Sequence, residues 1–207
     1  MADSKRLLVR GGQVYDHDGD VHHPGVADIL IEGGTIAAVG PHLTVDGEHD
    51  VIDASGRLVV PGLINAHYHS HDTLCRGLFE ELPLEFWLLY TMPMGANRSK
   101  EEVRARTLVG ALESLRCGIT TVQDMLGLIP LNEDYTDVVL KAYRDIGIRV
   151  VFSPMVADLP PLAMVRGQES LPSEVQEMFG TKALPMREQL DYLEHQFKRH
   201  PAAGSLH

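Results

Sequence analysis

Hydrophobic positions follow two regimes along the chain. Up to residue 57 they come in short runs cut by glycine. Leu7–Val9 and Gln13–Tyr15 flank Gly11-Gly12, and Ile29, Ile31 and Ile36 lie either side of Gly33-Gly34. Val51-Ile52 precedes the turn Ala54-Ser55-Gly56. A Gly-Gly pair between apolar runs suits a hairpin whose turn residues take positive φ. The pattern predicts a small β unit over residues 1–57 with no helix. Its strands have few partners within those residues, so it is expected to complete a sheet with chain from elsewhere.

From Leu58 the pattern changes to apolar strands alternating with helical stripes. Leu58-Val59-Val60 and Leu63-Ile64 read as one strand bent at Pro61-Gly62. In "SKEEVRARTLVGALESLRCG", Ser99 and Glu102 form a capping box, Leu108, Ala111, Leu112 and Leu115 form the apolar stripe, and Gly118 suits the C-terminal turn. "ITTV" is a β-branched strand ending at Asp124. "DYTDVVLKAYRDIG" is a second helix, apolar at Val138, Val139, Ala142, Tyr143 and Ile146 and stopped by Gly147. "IRVVFS" is a third strand. After Pro160-Pro161 comes a short helix capped by Ser173 and Gln176, then a helix with Met186, Leu190, Leu193 and Phe197 on one face. Strand–helix alternation with apolar strands implies a parallel sheet with helices outside it. After "HPAAGSLH", where a fourth strand is due, the sequence stops, so the expectation is a fragment of a longer design.

Composition narrows the function classes. The chain is 44% hydrophobic and 23% charged, ordinary for a soluble globular protein. Its formal charge of -11 gives long-range attraction of the wrong sign for nonspecific binding to nucleic acid or an anionic membrane. Two cysteines, Cys75 and Cys117, indicate neither a disulfide framework nor a thiolate zinc site. No segment has the signal-peptide pattern or the roughly 18 apolar residues of a membrane span, so a cytoplasmic location is the default.

The candidate chemistry sits in "VVPGLINAHYHSHDTLCRG". Residues i and i+2 of a strand share a face, so His67 and His69 project together with Cα atoms about 6.5–7 Å apart. That span lets two imidazoles converge on one ion through bonds of about 2.0–2.1 Å. The carboxyl end of a parallel strand is also where such proteins place their chemistry. A bare His-x-His is a weak signal, more often two polar residues where a strand leaves the core than a metal site. His71 reads as a loop histidine near the pocket. His17, His22 and His23 read as a solvated Gly/Asp-rich turn, and His195, His200 and His207 form no constellation.

The hairpin "ADILIEGGTIAAVG", the run "VIDASGRLVVPGLINAHYHSHDTLCRG", the segment "LEFWLL" and "ALESLRCGITTVQDM" occur in order over roughly residues 5 to 155. Together they resemble the amidohydrolase superfamily, in its cytosine deaminase-like and chlorohydrolase-like branch of metal-dependent deaminases. The resemblance implies the N-terminal portion of a (β/α)8 TIM barrel, about three βα units over residues 58–207, preceded by part of a small β-sandwich over residues 1–57. It implies one divalent metal ion, Zn first and Fe as the alternative, with His67 and His69 as the strand-one ligands. The family's remaining ligands come from strands five, six and eight, which have no counterpart in this sequence. It further implies metal-activated hydroxide attacking a nitrogen heterocycle at a carbon bearing an amino or halide leaving group, with a small-molecule substrate. The unpaired edges of three barrel strands add the expectation of a homo-oligomer in which other copies cover them.

Glu85 matches the glutamate that contacts the ribose hydroxyls of adenosine-type substrates in the family's nucleoside deaminases, and Trp87 matches the adjacent aromatic; the alternative is a surface helix with Trp87 buried beneath it. A carboxylate suits a vicinal diol because it accepts two hydrogen bonds. "VVFSPMV" lacks the arginine those deaminases carry after strand three. Asp124 is expected to support a loop or a ligand histidine rather than to catalyse, and Arg76-Gly77 to be structural. The catalytic proton carrier is expected beyond residue 207. The rival activities are cyclic-amide hydrolysis and triazine dechlorination. From a different class, the rival is an inactive truncated chain or interaction module.

Overall fold

A computed structural model describes residues 6–95, 98–127, 131–159, 163, 166–179 and 184–201. The chain divides into two compact units, residues 1–61 and 62–207.

The first unit is a five-stranded sheet. Strands β1 (Arg6–Val14), β2 (Val26–Glu32), β3 (Thr35–Gly40) and β4 (Asp50–Asp53) lie in the order β3-β2-β1-β4, and β5 (Leu58–Val59) also pairs with β1. The hairpin turn between β2 and β3 is Gly33-Gly34, with φ of 58° and 84°, as the sequence predicts. Gly11-Gly12 differs from expectation: it is no turn but a register shift inside the single strand β1. Gly11 has φ 71°, and its N–H donates to the buried Asp28 carboxylate at 2.7 Å instead of to the ladder.

Leu58 to Ile64 also departs from the expected single bent strand. Leu58–Val59 pairs in parallel with β1, whereas β6 (Leu63–Tyr68) opens the sheet of the second unit. Pro61 has no N–H to donate, and a Cβ at Gly62 would lie 2.3 Å from the Thr120 side chain. The ladder is interrupted where that close approach is needed.

The second unit is a three-stranded parallel sheet, β6-β7-β8, with β7 at Ile119–Leu126 and β8 at Arg149–Pro154. Helices α1 (Leu84–Gly95) and α2 (Lys100–Arg116) connect the first pair, and α3 (Glu133–Ile146) the second. Beyond β8 lie α4 (Ser173–Phe179) and α5 (Met186–Arg199). This is the parallel βα series the sequence predicts. Ser99 caps α2 by accepting from the Glu102 N–H, and Gly147 ends α3 at φ 80°. Pro160-Pro161 fall outside the described residues.

Two helices bury faces that hydrophobicity does not mark. In α2 the buried residues are Val103, Arg106, Thr107, Gly110, Ala111 and Ser114, while Leu112 is exposed. The reason is close approach: a Cβ on Gly110 would lie 1.8 Å from the Tyr68 hydroxyl. In α5 the buried residues are Gln189 and Gln196, while Leu190 and Phe197 stand exposed. Gln189 is drawn inward because its amide pairs with both backbone groups of Ala157. The core of the unit is Val103, Ala111, Val122, Leu126, Val139, Leu140, Tyr143, Ile148 and Val150, between the sheet and α2 and α3.

Candidate metal centre

The centre begins with strand parity. Tyr68 is in register with Asp124 of β7, and both point toward the helices. Tyr68 packs against the core, and Asp124 is fully buried. The ladder shifts register between Asn65 and Tyr68, so Ile64, level with Thr121, does not share the face of Tyr68, and His67, next to Tyr68, lies on the opposite face of β6. His69 is still extended at φ -130°, ψ 95°, so its side chain follows that of His67. The two rings lie 4.9 Å apart between centroids, at 90° to each other. A 3-10 turn, Ser70–Cys75, ends the strand immediately afterwards.

Hydrogen bonds fix what each ring presents. His69 Nδ1 lies 2.7 Å from the Met125 carbonyl oxygen, which can only accept, so Nδ1 carries the proton and Nε2 keeps a free lone pair. His71 is the reverse case. Its Nδ1 accepts from the Gly127 N–H at 3.1 Å, and its Nε2 faces the Asp72 carboxylate at 3.5 Å. Burial, aided by His69 and two arginines, pushes His71 down to about 3, so the ring is neutral with its proton on Nε2. It ties two loops together and offers no lone pair toward His69. Its carbonyl accepts from Arg106 at 2.8 Å and from Arg98 at 3.1 Å.

Asp124 sits behind the pair. Its carboxylate accepts from the Ser70 N–H at 3.0 Å and from the Tyr143 hydroxyl at 2.6 Å. Burial raises its pKa, opposed by those hydrogen bonds. Burial likewise raises the Tyr143 phenol, reinforced by the Asp124 charge. The carboxylate therefore anchors the backbone between His69 and His71. Glu85 and Trp87 both belong to α1, where Trp87 is partly buried; the Glu85 side chain lies outside the described part. The preceding loop is fastened to α1 by Phe79, whose ring stacks on Tyr90 at 4.8 Å. Arg76 pairs with Glu113 of α2 at 2.5 Å.

Sequence reasoning missed Arg106, Gly110 and Ser70. Arg106 and Gly110 were legible only as helical phase with Val103 and Ser114; Ser70 contributes a backbone N–H, which carries no residue signal.

The donor set suits a divalent ion that takes imidazole nitrogen: two rings on one face, one with its tautomer set by a backbone carbonyl. Among the described residues these two gather no third ligand. The one grouping of three possible ligands there is Asp16, His17 and Asp18, in an exposed turn of the first unit.

Comparison with known proteins bears on this geometry. The chain is 43% identical over 122 residues to a 5-methylthioadenosine/S-adenosylhomocysteine deaminase of Haloarcula marismortui, covering 58% of this chain and 27% of that protein. It is 37% identical over 172 residues to the deaminase of the same name from Pyrococcus furiosus, covering 83% and 37%. Among solved structures it matches the atrazine chlorohydrolase of Arthrobacter aurescens TC1 complexed with zinc. That match has a TM-score of 0.76 at 25% identity and covers 95% of this chain and 44% of the other. The chain thus spans roughly a third of the length of these curated relatives. No helix among the described residues is long and apolar enough to cross a membrane. Residues 58–200 match the amidohydrolase family model, and the chain belongs to the amidohydrolase family.

Proposed function

We propose that this chain supplies the first three βα units and two imidazole ligands of a metal-dependent aminohydrolase that acts on an adenosine-type nucleoside. The observation that carries the reading is the pairing of His67 with His69 at the carboxyl end of β6, with His69 Nδ1 committed to Met125. A divalent ion, zinc by preference, would be held there by His67 and by His69 Nε2 together with ligands from other strands of the complete enzyme, and would supply Lewis acidity. Asp124, through the Ser70 N–H, holds the backbone that orients His69. Glu85 meets the ribose diol and Trp87 supports it. That assignment rests on the "LEFWLL" segment and on relatives named for adenosine-type substrates. The substrate is a small molecule, and the site works in the cytoplasm within a homo-oligomer.

Triazine dechlorination is the second reading, favoured by the zinc-bound chlorohydrolase neighbour. A chimera decides between them, with this chain replacing the corresponding segment of the Pyrococcus furiosus deaminase. It is expected to release ammonia from 5'-methylthioadenosine and to lose that activity with His67→Ala. A folded, zinc-loaded chimera that hydrolyses atrazine but not the nucleoside would overturn the nucleoside reading.

A further inference from the structure

We propose that Arg98 and Arg106 are positioning residues for His69, acting through the peptide group between His71 and Asp72. This rests on the reading of His67 and His69 as metal ligands.

The observation is two guanidinium groups on one backbone oxygen. Arg106, only 2% exposed, and Arg98, 8% exposed, both donate Nη1–H to the His71 carbonyl. Arg98 is also 3.4 Å from Glu102. Arg106 makes no ion pair among the described residues, and its Nε is buried without a partner there. Burial, together with Arg98, lowers its pKa to about 10. Burying two like charges side by side is costly. A neutral amide would tie α2 to the loop without that cost, so the charge itself calls for an explanation.

The peptide group provides one. The carbonyl of His71 and the N–H of Asp72 belong to the same planar unit. That N–H donates to the His69 carbonyl at 3.1 Å. Two charge-assisted hydrogen bonds on the oxygen polarise the unit and strengthen its N–H as a donor. His69 is then gripped twice, at its carbonyl by the polarised peptide and at its ring by Met125. The Ser70 N–H bond to Asp124 closes the remaining freedom between them. Nε2 of His69 is aimed without its own lone pair being used.

The test is zinc affinity of the 207-residue chain by chelator competition, with the imidazole 15N spectrum recorded without metal. Arg106→Met is expected to weaken zinc binding about tenfold, as loss of support behind a ligand does, and to shift or broaden the His69 Nδ1–H signal. Arg106→Lys should recover part of both. Val103→Ala, a buried neighbour on the same helix face that makes no bond to the loop, should lower thermal stability and leave zinc affinity and the His69 signal unchanged. A folded Arg106→Met chain with unchanged affinity and an unchanged signal overturns the proposal. If Arg106→Met does not fold, Arg98→Met decides by the same two readouts. If His69→Ala leaves zinc affinity unaltered, the metal reading fails instead, and the His69 signal in the arginine variants then judges the positioning role alone.

Discussion

The two faces of the β6-β7-β8 sheet differ in burial. On the helix side, Val122, Leu126 and Asp124 are wholly buried, and both Asp124 oxygens have donors. On the opposite side, Ile64 is 72% exposed and Val151 37%, beside the exposed His67. One strand thus serves a finished core with its Tyr68 and an open face with its histidines. The contrast shows that the candidate centre is oriented from behind. Among the described residues, the hydrogen bonds that hold His69 and the turn after it come from β7, from that turn, from Arg98 and from Arg106 of α2, and none comes from a group in front of the sheet.

Replacements on the two faces should therefore have unequal costs. Leu126→Ala is expected to destabilise the chain by about 3 kcal/mol, whereas Ile64→Ala should stay within about 0.5 kcal/mol. Urea denaturation of the two variants measures this, and equal losses would erase the distinction between the faces. Asp124→Ala leaves the Ser70 N–H and the Tyr143 hydroxyl unpartnered and should cost about 2–3 kcal/mol. It should also weaken zinc binding, because the backbone beside His69 loses its anchor. A stability loss with zinc affinity intact would confine Asp124 to the core.

Gly110→Ala puts a methyl against the Tyr68 hydroxyl and should cost about 1–2 kcal/mol by overpacking. Tyr68→Phe in the same chain should return part of that loss, which a double-mutant cycle by thermal denaturation would reveal. The smallest effect belongs to the surface. Glu113→Gln breaks the exposed pair with Arg76 and should change stability by less than about 1 kcal/mol.

Much of this arrangement was legible in the sequence because it rests on period and punctuation. Strand alternation puts His67 and His69 on one face, Gly33-Gly34 makes a hairpin, and Ser99 and Gly147 bound helices as their chemistry requires. What escaped was whatever depends on close approach or on a buried hydrogen bond. Gly11-Gly12 looked like a turn, because a bulge and a turn both call for positive φ. The buried face of α2 was hidden because Arg106, Thr107, Gly110 and Ser114 carry no hydrophobic signal. Gln189 and Gln196 of α5 were hidden for the same reason. The tautomer of His69 is set by the Met125 carbonyl, which no side-chain pattern encodes.

The central claim is that His67 and His69 act together on one ion, and a zinc titration of the isotopically labelled chain tests it most directly. The account predicts that the imidazole nitrogens of His67 and His69 respond at the same zinc concentration, that His69 responds at Nε2 while Nδ1 keeps its proton, and that His67→Ala abolishes the response of His69. Zinc that perturbs only His17 in the Asp16–Asp18 turn, with the spectra of His67 and His69 unchanged, would contradict it.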